Sequence, residues 1–596
     1  MLIKRTHRLD VFFIIIVLVF AALISRLTFL QILQGKNYER LADGNRIRLI
    51  PIMAPRGNFY DRNGNSLVTS RPGFTVSIMP TSGPLSNEVI QKLAAILGMT
   101  PEEVRAKASQ PTQNFEPIRI KNDIGPDVVT KIEERRSEMP GVMIEIQPIR
   151  SYVYNELAAH VFGYVSEIND SELETKKKDG YKMGDIIGKF GLEKVYDKEI
   201  RGVDGGDQVE VDVTGRPVQV LGKKEPIPGK NLVLTIDANI QKAAEDAIDK
   251  QLAYLQARTQ FKKAKAASAV VLNPKTGEIL AMVSRPTFNP NLFSTGISSK
   301  DWKVLNENPF NPMDNKAISG EYPPGSTFKV VTGTAALELG KVTPEEKILD
   351  TGKHWIIPKG NSEGEALGWI SFQEALAKSD NVYFYEMGNR LGIDNLEKYA
   401  RNFGLGVPTG INLPGEAEGL VANKAYKEKV YGEDWYLSET FDAAIGQGFQ
   451  LATPLQVAQI MEQIANGGHR YRPYLVSKMT GNNGETLKSF SPEETGRVDI
   501  SPRTLNLIRE SLRDVAKEGG TAGSIFQNFP IQIAGKTGTA ENPHGSDHGW
   551  FAAYAPYDDP EVVVVVMVEQ GGFGTSSAAP IARSIFEAAF HLPSQP

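Results

Sequence analysis

The chain has 596 residues, room for about two to four domains and at least one large buried core. Lys+Arg 66 against Asp+Glu 71 gives a net charge of -5, which argues against a nucleic-acid binder, whose footprint is a strongly basic domain. Cys is 0, excluding disulfides, thiolate nucleophiles and cysteine-ligated metal clusters, and 41% hydrophobic residues argue against both wholesale disorder and a many-span transporter.

The first element is an apolar run. Val11 to Ile24 is uninterrupted, Ser25 and Arg26 break it, and LTFLQIL carries it on to Leu33. As a helix, residues 11–33 reach about 34 Å at 1.5 Å per residue, enough to cross a bilayer. Lys4, Arg5 and Arg8 precede the run and Lys36, Arg40, Arg46 and Arg48 follow it, so charge alone does not orient it. No small-x-small site follows, which favours an uncleaved anchor over a cleaved signal peptide. Either reading exports the bulk of the chain.

Residues 34–225 form a polar, mixed region. Turn chemistry at both ends of Ala54 to Gly64 predicts a hairpin. Phe74 to Ile78 and Gly141 to Ile146 read as strands. Ser86 to Ala108 reads as helix, broken at Gly98 and Thr100-Pro101. The charged stretch Glu167 to Gly184 is a solvated excursion, with a partner patch as the lesser alternative. Near 225 the texture changes. Asn231 to Ile236 is strand-like, and Asn239 to Arg258 is a helix with Ala243, Ala244, Ala247 and Ile248 on one face. Ala269 to Asn273, a turn through Gly277, and Glu278 to Ser284 make a strand-turn-strand. Strand-like stretches recur around Ile531, Gly549 and Val562, and Ile581 to Ala589 closes as helix. This order predicts an α+β domain over 226–596, an antiparallel sheet flanked by helices.

Three short motifs carry the chemistry. Ser326-Thr327-Phe328-Lys329 stands at a predicted helix start, with Gly340 as its stop. At i and i+3 the Ser326 hydroxyl and the Lys329 amine share a face. A serine needs a base to become a nucleophile, and a buried lysine of lowered pKa can serve. Taken alone, the motif is more often an ordinary helix start. Ser379-Asp380-Asn381 follows the helix candidate Phe372 to Ala377 and reads alone as a turn. Lys536-Thr537-Gly538-Thr539 follows the strand-like Ile531 to Ala534. Such an edge could pair with an extended peptide and hold its carboxylate, the Gly allowing close approach; the bland alternative is a solvent-facing strand with a bend.

Together, in this order, the three motifs match the signature of penicillin-interacting serine acyl-transfer enzymes. The chain resembles the class B penicillin-binding proteins, monofunctional peptidoglycan D,D-transpeptidases, and most of all their elongation type. Supporting segments are Pro55-Arg56-Gly57-Asn58-Phe59-Tyr60-Asp61-Arg62-Asn63-Gly64, Gly191-Leu192-Glu193-Lys194-Val195-Tyr196-Asp197, Tyr322-Pro323-Pro324-Gly325, Gly446-Gln447-Gly448 and Ala465-Asn466-Gly467-Gly468. The resemblance implies a tail at 1–10, an anchor at 11–33 in the bacterial inner membrane, a pedestal at 34–225 and a transpeptidase domain at 226–596 outside the cytoplasm. It implies Ser326 as nucleophile, Lys329 as its base, and Ser379 and Lys536 as proton carriers. Asn381, Thr537, Gly538 and Thr539 would bind substrate, with backbone N–H groups of Ser326 and Thr539 as oxyanion hole; Asp380 receives no role. Implied partners are peptidoglycan stem peptides, lipid II-derived glycan strands, β-lactams, a membrane glycosyltransferase of the shape, elongation, division and sporulation class, and a rod-complex scaffold protein. No nucleic acid and no cofactor is implied. Some relatives carry a zinc-like Asp/Asp/His/Cys cluster. Here Asp350 and His354 lie in that region without a cysteine, and a solvated loop is expected instead. The open alternatives are a division-type transpeptidase, a D,D-carboxypeptidase, a β-lactamase, disfavoured by the long pedestal, and a non-catalytic penicillin-binding sensor or scaffold.

Overall fold

The computed structural model describes residues 3–34, 36, 47–79, 85–109, 117–211, 217–362 and 364–593. Arg40 and Arg46 lie outside the described residues. The chain packs as two compact units that ignore linear order. One comprises Met1–Pro55, Pro72–Pro148 and Gly202–Pro228, the other Arg56–Arg71, Ile149–Arg201 and Gly229–Pro596.

In the first unit, the apolar run is helical from Ile3–Thr28 and continues as a π-helical turn, Phe29–Leu33. Asp10–Leu33 is 24 residues long with mean hydropathy 2.7 and none of it buried, as a membrane-facing span requires. The predicted break in the next helix is real. Asn87–Leu97 stops at Gly98 in the left-handed region, and Pro101–Ala108 restarts under a Thr100/Glu103 capping box. These helices cover a core of Val76, Ile90, Leu93, Ile118 and Ile120. A separate three-stranded antiparallel sheet joins Ile47–Ile52, Gly205–Val211 and Pro217–Lys224.

The second unit is built on a five-stranded antiparallel sheet. Its strands are β1 (Ala267–Leu272), β2 (Ile279–Arg285), β3 (Ala534–Ala540), β4 (His548–Ala555) and β5 (Val562–Val568), in spatial order β2-β1-β5-β4-β3. β5 is VVVVVMV and buried throughout. Its alternate residues serve different cores: Val563, Val565 and Met567 face one, and Val562, Val564, Val566 and Val568 the other. Helices on both faces remove the polar alternation expected of a one-sided sheet. The outer layer holds α1 (Ala238–Arg258) and α6 (Ala579–Ala589). The inner layer holds α2 (Lys329–Glu338), α3 (Phe372–Lys378), α4 (Asn381–Leu391) and α5 (Pro454–Asn466). α1 buries Ala244 and Ile248 as expected, but also the polar Gln241 and Glu245. Glu245 pays for its burial through an ion pair with Arg285 at 3.1 Å.

The predicted hairpin also belongs to this unit. Phe59–Tyr60 pairs antiparallel with the strand beginning at Ser66, and Asp61 Oδ1 accepts from the N–H groups of Asn63 and Asn65 to close the turn. Arg56 and Glu193, from two of the segments that carry the family resemblance, meet inside the unit. Arg56 donates to Glu193 Oε2 at 2.8 Å and pairs with Asp197 at 2.8 Å, while Arg150 donates to Glu193 Oε1 at 2.5 Å. The charged stretch Glu167 to Gly184 is mostly exposed, yet Tyr181 is buried and donates to Asp197 at 2.6 Å.

Candidate active site

Ser326 does not open an α-helix. It lies in a 3-10 turn, Gly325–Phe328, which runs into α2 at Lys329. Three residues per turn place i and i+3 nearly in register, so the turn keeps Ser326 and Lys329 on one face. Two close approaches fix it. Gly325 N donates to Gly446 O at 2.9 Å, and a Cβ on Gly446 would meet Gly325 O at 2.3 Å. On the other side, Trp550 Nε1 donates to Pro323 O at 3.1 Å.

Lys329 and Lys536 are both 0% exposed. Lys329 Nζ donates to Asn381 Oδ1 at 2.6 Å and to Ser379 O at 2.8 Å, with Ser379 Oγ at 3.4 Å. Burial pulls its pKa down to about 7, against an opposing pull from the Asp380 carboxylate. A neutral amine has two N–H donors and one lone pair. The two short acceptors occupy the donors and leave the lone pair to take a proton.

Ser379 is the C-cap of α3 and sits at φ +62, a conformation uncommon for a serine. That turn presents both its carbonyl and its hydroxyl to the lysines. Lys536 Nζ donates to Ser379 Oγ at 2.7 Å and to Thr537 O at 3.0 Å. Burial, and secondarily the charge of Lys329, holds Lys536 well below the ordinary lysine range. Asp380, given no role from sequence, is the N-cap of α4 and accepts from Tyr383 N at 2.8 Å. Burial raises it to about 6.

The third motif lies on an edge strand, as read from its residues, but that strand begins at Ala534 and not at Ile531. Lys536 to Thr539 are interior to β3, the edge strand, in register with Ala552 to Gly549 of β4. Thr537 O accepts from Lys536 and Thr539 O from Gln447 Nε2, so both face away from β4. In an antiparallel strand the N–H of each residue points with its C=O, so the N–H groups of Thr537 and Thr539 also face away from β4, beside carbonyls that Lys536 and Gln447 already engage. A Cβ on Gly538 would stand 3.0 Å from Trp550 Cβ and 3.2 Å from Thr327 Cγ2. Gly538→Ala is therefore expected to push β3 off the Ser326 turn and to slow acylation about tenfold, read by penicillin-labelling kinetics.

Of the eight residues predicted from sequence, Lys329, Ser379, Asn381, Lys536 and Thr537 are joined by hydrogen bonds, and Gly538 and Thr539 lie on the same edge strand against the turn that carries Ser326. Sequence reasoning missed Thr521, whose hydroxyl shares a hydrogen bond of 2.8 Å with that of Thr537. It also missed Asn361, whose only signal was a Gly/Asn/Ser-rich loop. The expectation of a solvated loop at Asp350 and His354 is corrected. Both are buried. Asp350 accepts from Gly352 N, Leu367 N and Asn361 Nδ2 at 2.7–2.9 Å. His354 stacks on Trp355 at 4.2 Å and faces Glu386 at 3.4 Å. Among the described residues no group of three or more His, Cys, Asp and Glu is arranged to hold a metal ion. His548 is the first residue of β4 and accepts from Gln570 N at 3.1 Å.

Comparison with known proteins agrees with this geometry. The penicillin binding protein transpeptidase domain matches residues 267–587, and the penicillin-binding protein dimerisation domain matches 51–234. The peptidoglycan D,D-transpeptidase MrdA of Acinetobacter baumannii is 35% identical, over 98% of this chain and 88% of its own length. The penicillin-binding protein PBP2 of Helicobacter pylori, solved in complex with MreC, superposes with TM-score 0.78 at 26% identity, over 91% of this chain and 99% of that one. A chain of a peptidoglycan synthase complex, described as coordinating polymerization and crosslinking, gives TM-score 0.74 at 32% identity, over 99% of both chains. The chain belongs to the class B penicillin-binding proteins, in their MrdA or PBP2-like group of peptidoglycan D,D-transpeptidases.

Proposed function

We propose that this membrane-anchored protein crosslinks peptidoglycan stem peptides during cell elongation through an ester on Ser326, with the catalytic region outside the cytoplasm. The observation that supports this best is the convergence of the fully buried Lys329 and Lys536 on Ser379, beside the edge strand β3.

Lys329, half neutral near pH 7, takes the Ser326 proton as Oγ attacks the carbonyl between the last two D-alanines of a donor stem. The N–H groups of Ser326 and Thr539 receive the oxyanion. As the C–N bond breaks, the leaving amine takes a proton delivered through Ser379, which Lys536 holds in place. D-Alanine departs and an acyl ester remains. An acceptor amine from a neighbouring strand then attacks, returning its proton along the same path and freeing Ser326. Asn381 orients Lys329 and the donor amide. The Thr537 and Thr539 hydroxyls take the donor carboxylate, and Gly538 admits the peptide to the edge. A β-lactam enters the same steps, but its amine stays tethered after ring opening, so the ester persists. No cofactor or metal enters these steps.

On this reading residues 226–596 perform the transfer, 34–225 form the pedestal, 11–33 the anchor and 1–10 the cytoplasmic tail. The relatives extend the proposal to partners. A scaffold of the MreC kind would bind as in the Helicobacter protein. A membrane glycosyltransferase of the shape, elongation, division and sporulation class would supply lipid II-derived strands. The test has two arms. Fluorescent penicillin should form one adduct per chain, mapped by peptide mass spectrometry to Ser326. An adduct elsewhere, or none, sinks the assignment. With lipid II and the polymerase, crosslinked muropeptides are expected. Free D-alanine without crosslinks would make the protein a carboxypeptidase, and acylation without either product a sensor.

A further inference from the structure

The side chain of Asn361 is bonded at both of its polar ends. It lies between the strands Lys347–Asp350 and Gly368–Ser371, with no role in the chemistry above. Its Oδ1 accepts from Asn381 N at 2.7 Å and Val382 N at 3.4 Å. Its Nδ2 donates to Asp350 Oδ2 and to Glu365 O, both at 2.9 Å. The N–H groups of Asn381 and Val382 open α4, where a helix has no partners of its own to offer. Asp380 caps only Tyr383 N, so Asn361 supplies from across the loop what the local cap does not.

The same loop also sets which way the Asn381 amide faces. Asn381 Nδ2 donates to Gly360 O at 3.3 Å, which turns Oδ1 toward Lys329 Nζ at 2.6 Å. Asp350 ties down both ends of the loop through Gly352 N and Leu367 N. Hydrogen bonds therefore link Asp350 to Asn361 and Asn361 to the Asn381 backbone N–H, while the Asn381 side chain reaches Lys329. Were Asn381 free to flip, its NH2 would face the lysine, and the amine would lose the acceptor that aims its lone pair.

We infer that Asn361 is a positioning residue for the catalytic base: held by Asp350, it fixes the backbone at the start of α4, and so holds Asn381 where the neighbouring Gly360 carbonyl can orient its amide toward the Lys329 amine. The inference rests on the acyl-transfer reading for its kinetic consequence, but not for its structural one. The test compares the full-length protein with Asn361→Ala. Stopped-flow labelling with fluorescent penicillin should show the acylation rate constant falling about tenfold to a hundredfold, as when a supporting hydrogen bond behind a reactive group is lost. The dissociation constant of the non-covalent complex should change less than about threefold, since Asn361 contacts no ligand. Hydrogen exchange at the first amides of α4 should quicken in the same variant. An acylation rate constant within twofold of the parent overturns the proposal, as does unchanged exchange. If Asn361→Ala does not fold, Asn361→Ser carries the same comparison, and failure of both to fold makes Asn361 a general stability element and overturns its positioning role. Absence of label on the parent protein would instead sink the acyl-transfer reading, leaving the exchange measurement to judge Asn361.

Discussion

Lys329→Met is expected to slow acylation of Ser326 by about 10³-fold or more, with Ser326→Ala, which removes the attacking oxygen, as the zero. General-base assistance contributes about 10²–10⁴-fold. Here the base also anchors Asn381 Oδ1 and Ser379 O, so its loss disorders the groups meant to bind substrate. Met keeps the volume and the contact with Phe384, over whose ring the amine lies 5.4 Å from the centroid. The variant should therefore fold, and a melting curve close to the parent's separates lost chemistry from lost structure. The pH profile follows from the same group. Burial lowers its pKa to about 7, and only the neutral amine accepts a proton. The acylation rate should rise about tenfold per pH unit below 7 and level off above it. A rate that is flat from pH 5 to 8 would remove Lys329 from the base role. Linkage runs in the same direction. Between pH 7 and the unfolded lysine value the unfolded chain binds the extra proton, so this group's contribution makes stability rise with pH there.

Much of the fold was legible because its signals are local. The capping box at Thr100, the stop at Gly98 and the turn at Asn273 to Gly277 each bond within a few residues. The unbroken apolar run of β5 reads as a buried strand, and the structure buries it on both faces. Lys536 to Thr539 reads as a strand edge and lies on one; what differs is the lead-in, since the apolar Ile531 and Ile533 precede β3, which begins at Ala534. Ser326 was placed in an α-helix because 3-10 and α turns share the i, i+3 coincidence on which the motif rests. Asn361 was invisible because its partners lie 11 and 20 residues away across an irregular loop, with no period to mark them. The motif spacing named the chemistry, but not what holds the asparagine that holds the base.

Glu193→Ala is expected to destabilise the second unit by about 3–5 kcal/mol, enough to abolish penicillin labelling at 37 °C although Glu193 belongs to none of the three motifs. Glu193 is fully buried between two guanidinium groups, those of Arg56 and Arg150. Removing it leaves two buried cations with one carboxylate, Asp197, and a cavity beside Phe59, over which Arg150 stacks at 4.8 Å. The damage reaches the cleft because these segments are part of the catalytic core. Phe59, Leu67, Phe162, Leu192 and Ile200 share one apolar cluster with Phe328, Val330 and Leu376. Replacing one partner of the ion cluster should therefore melt the pocket around Lys329 along with it. Glu193→Gln, which keeps one acceptor and the volume, should cost less, and Arg56→Met should fall between them. Asp197 adds a pH signature. Burial alone would raise it, but Arg56 and the Tyr181 hydroxyl hold it below the ordinary carboxylate range, so its share of stability is present above about pH 4 and is lost on acidification. Thermal melts from pH 3 to 8 should show that acid loss in the parent and a smaller one in Arg56→Met. A Glu193→Ala protein that melts with the parent and labels at the parent rate would show that the cluster ornaments the core without holding it.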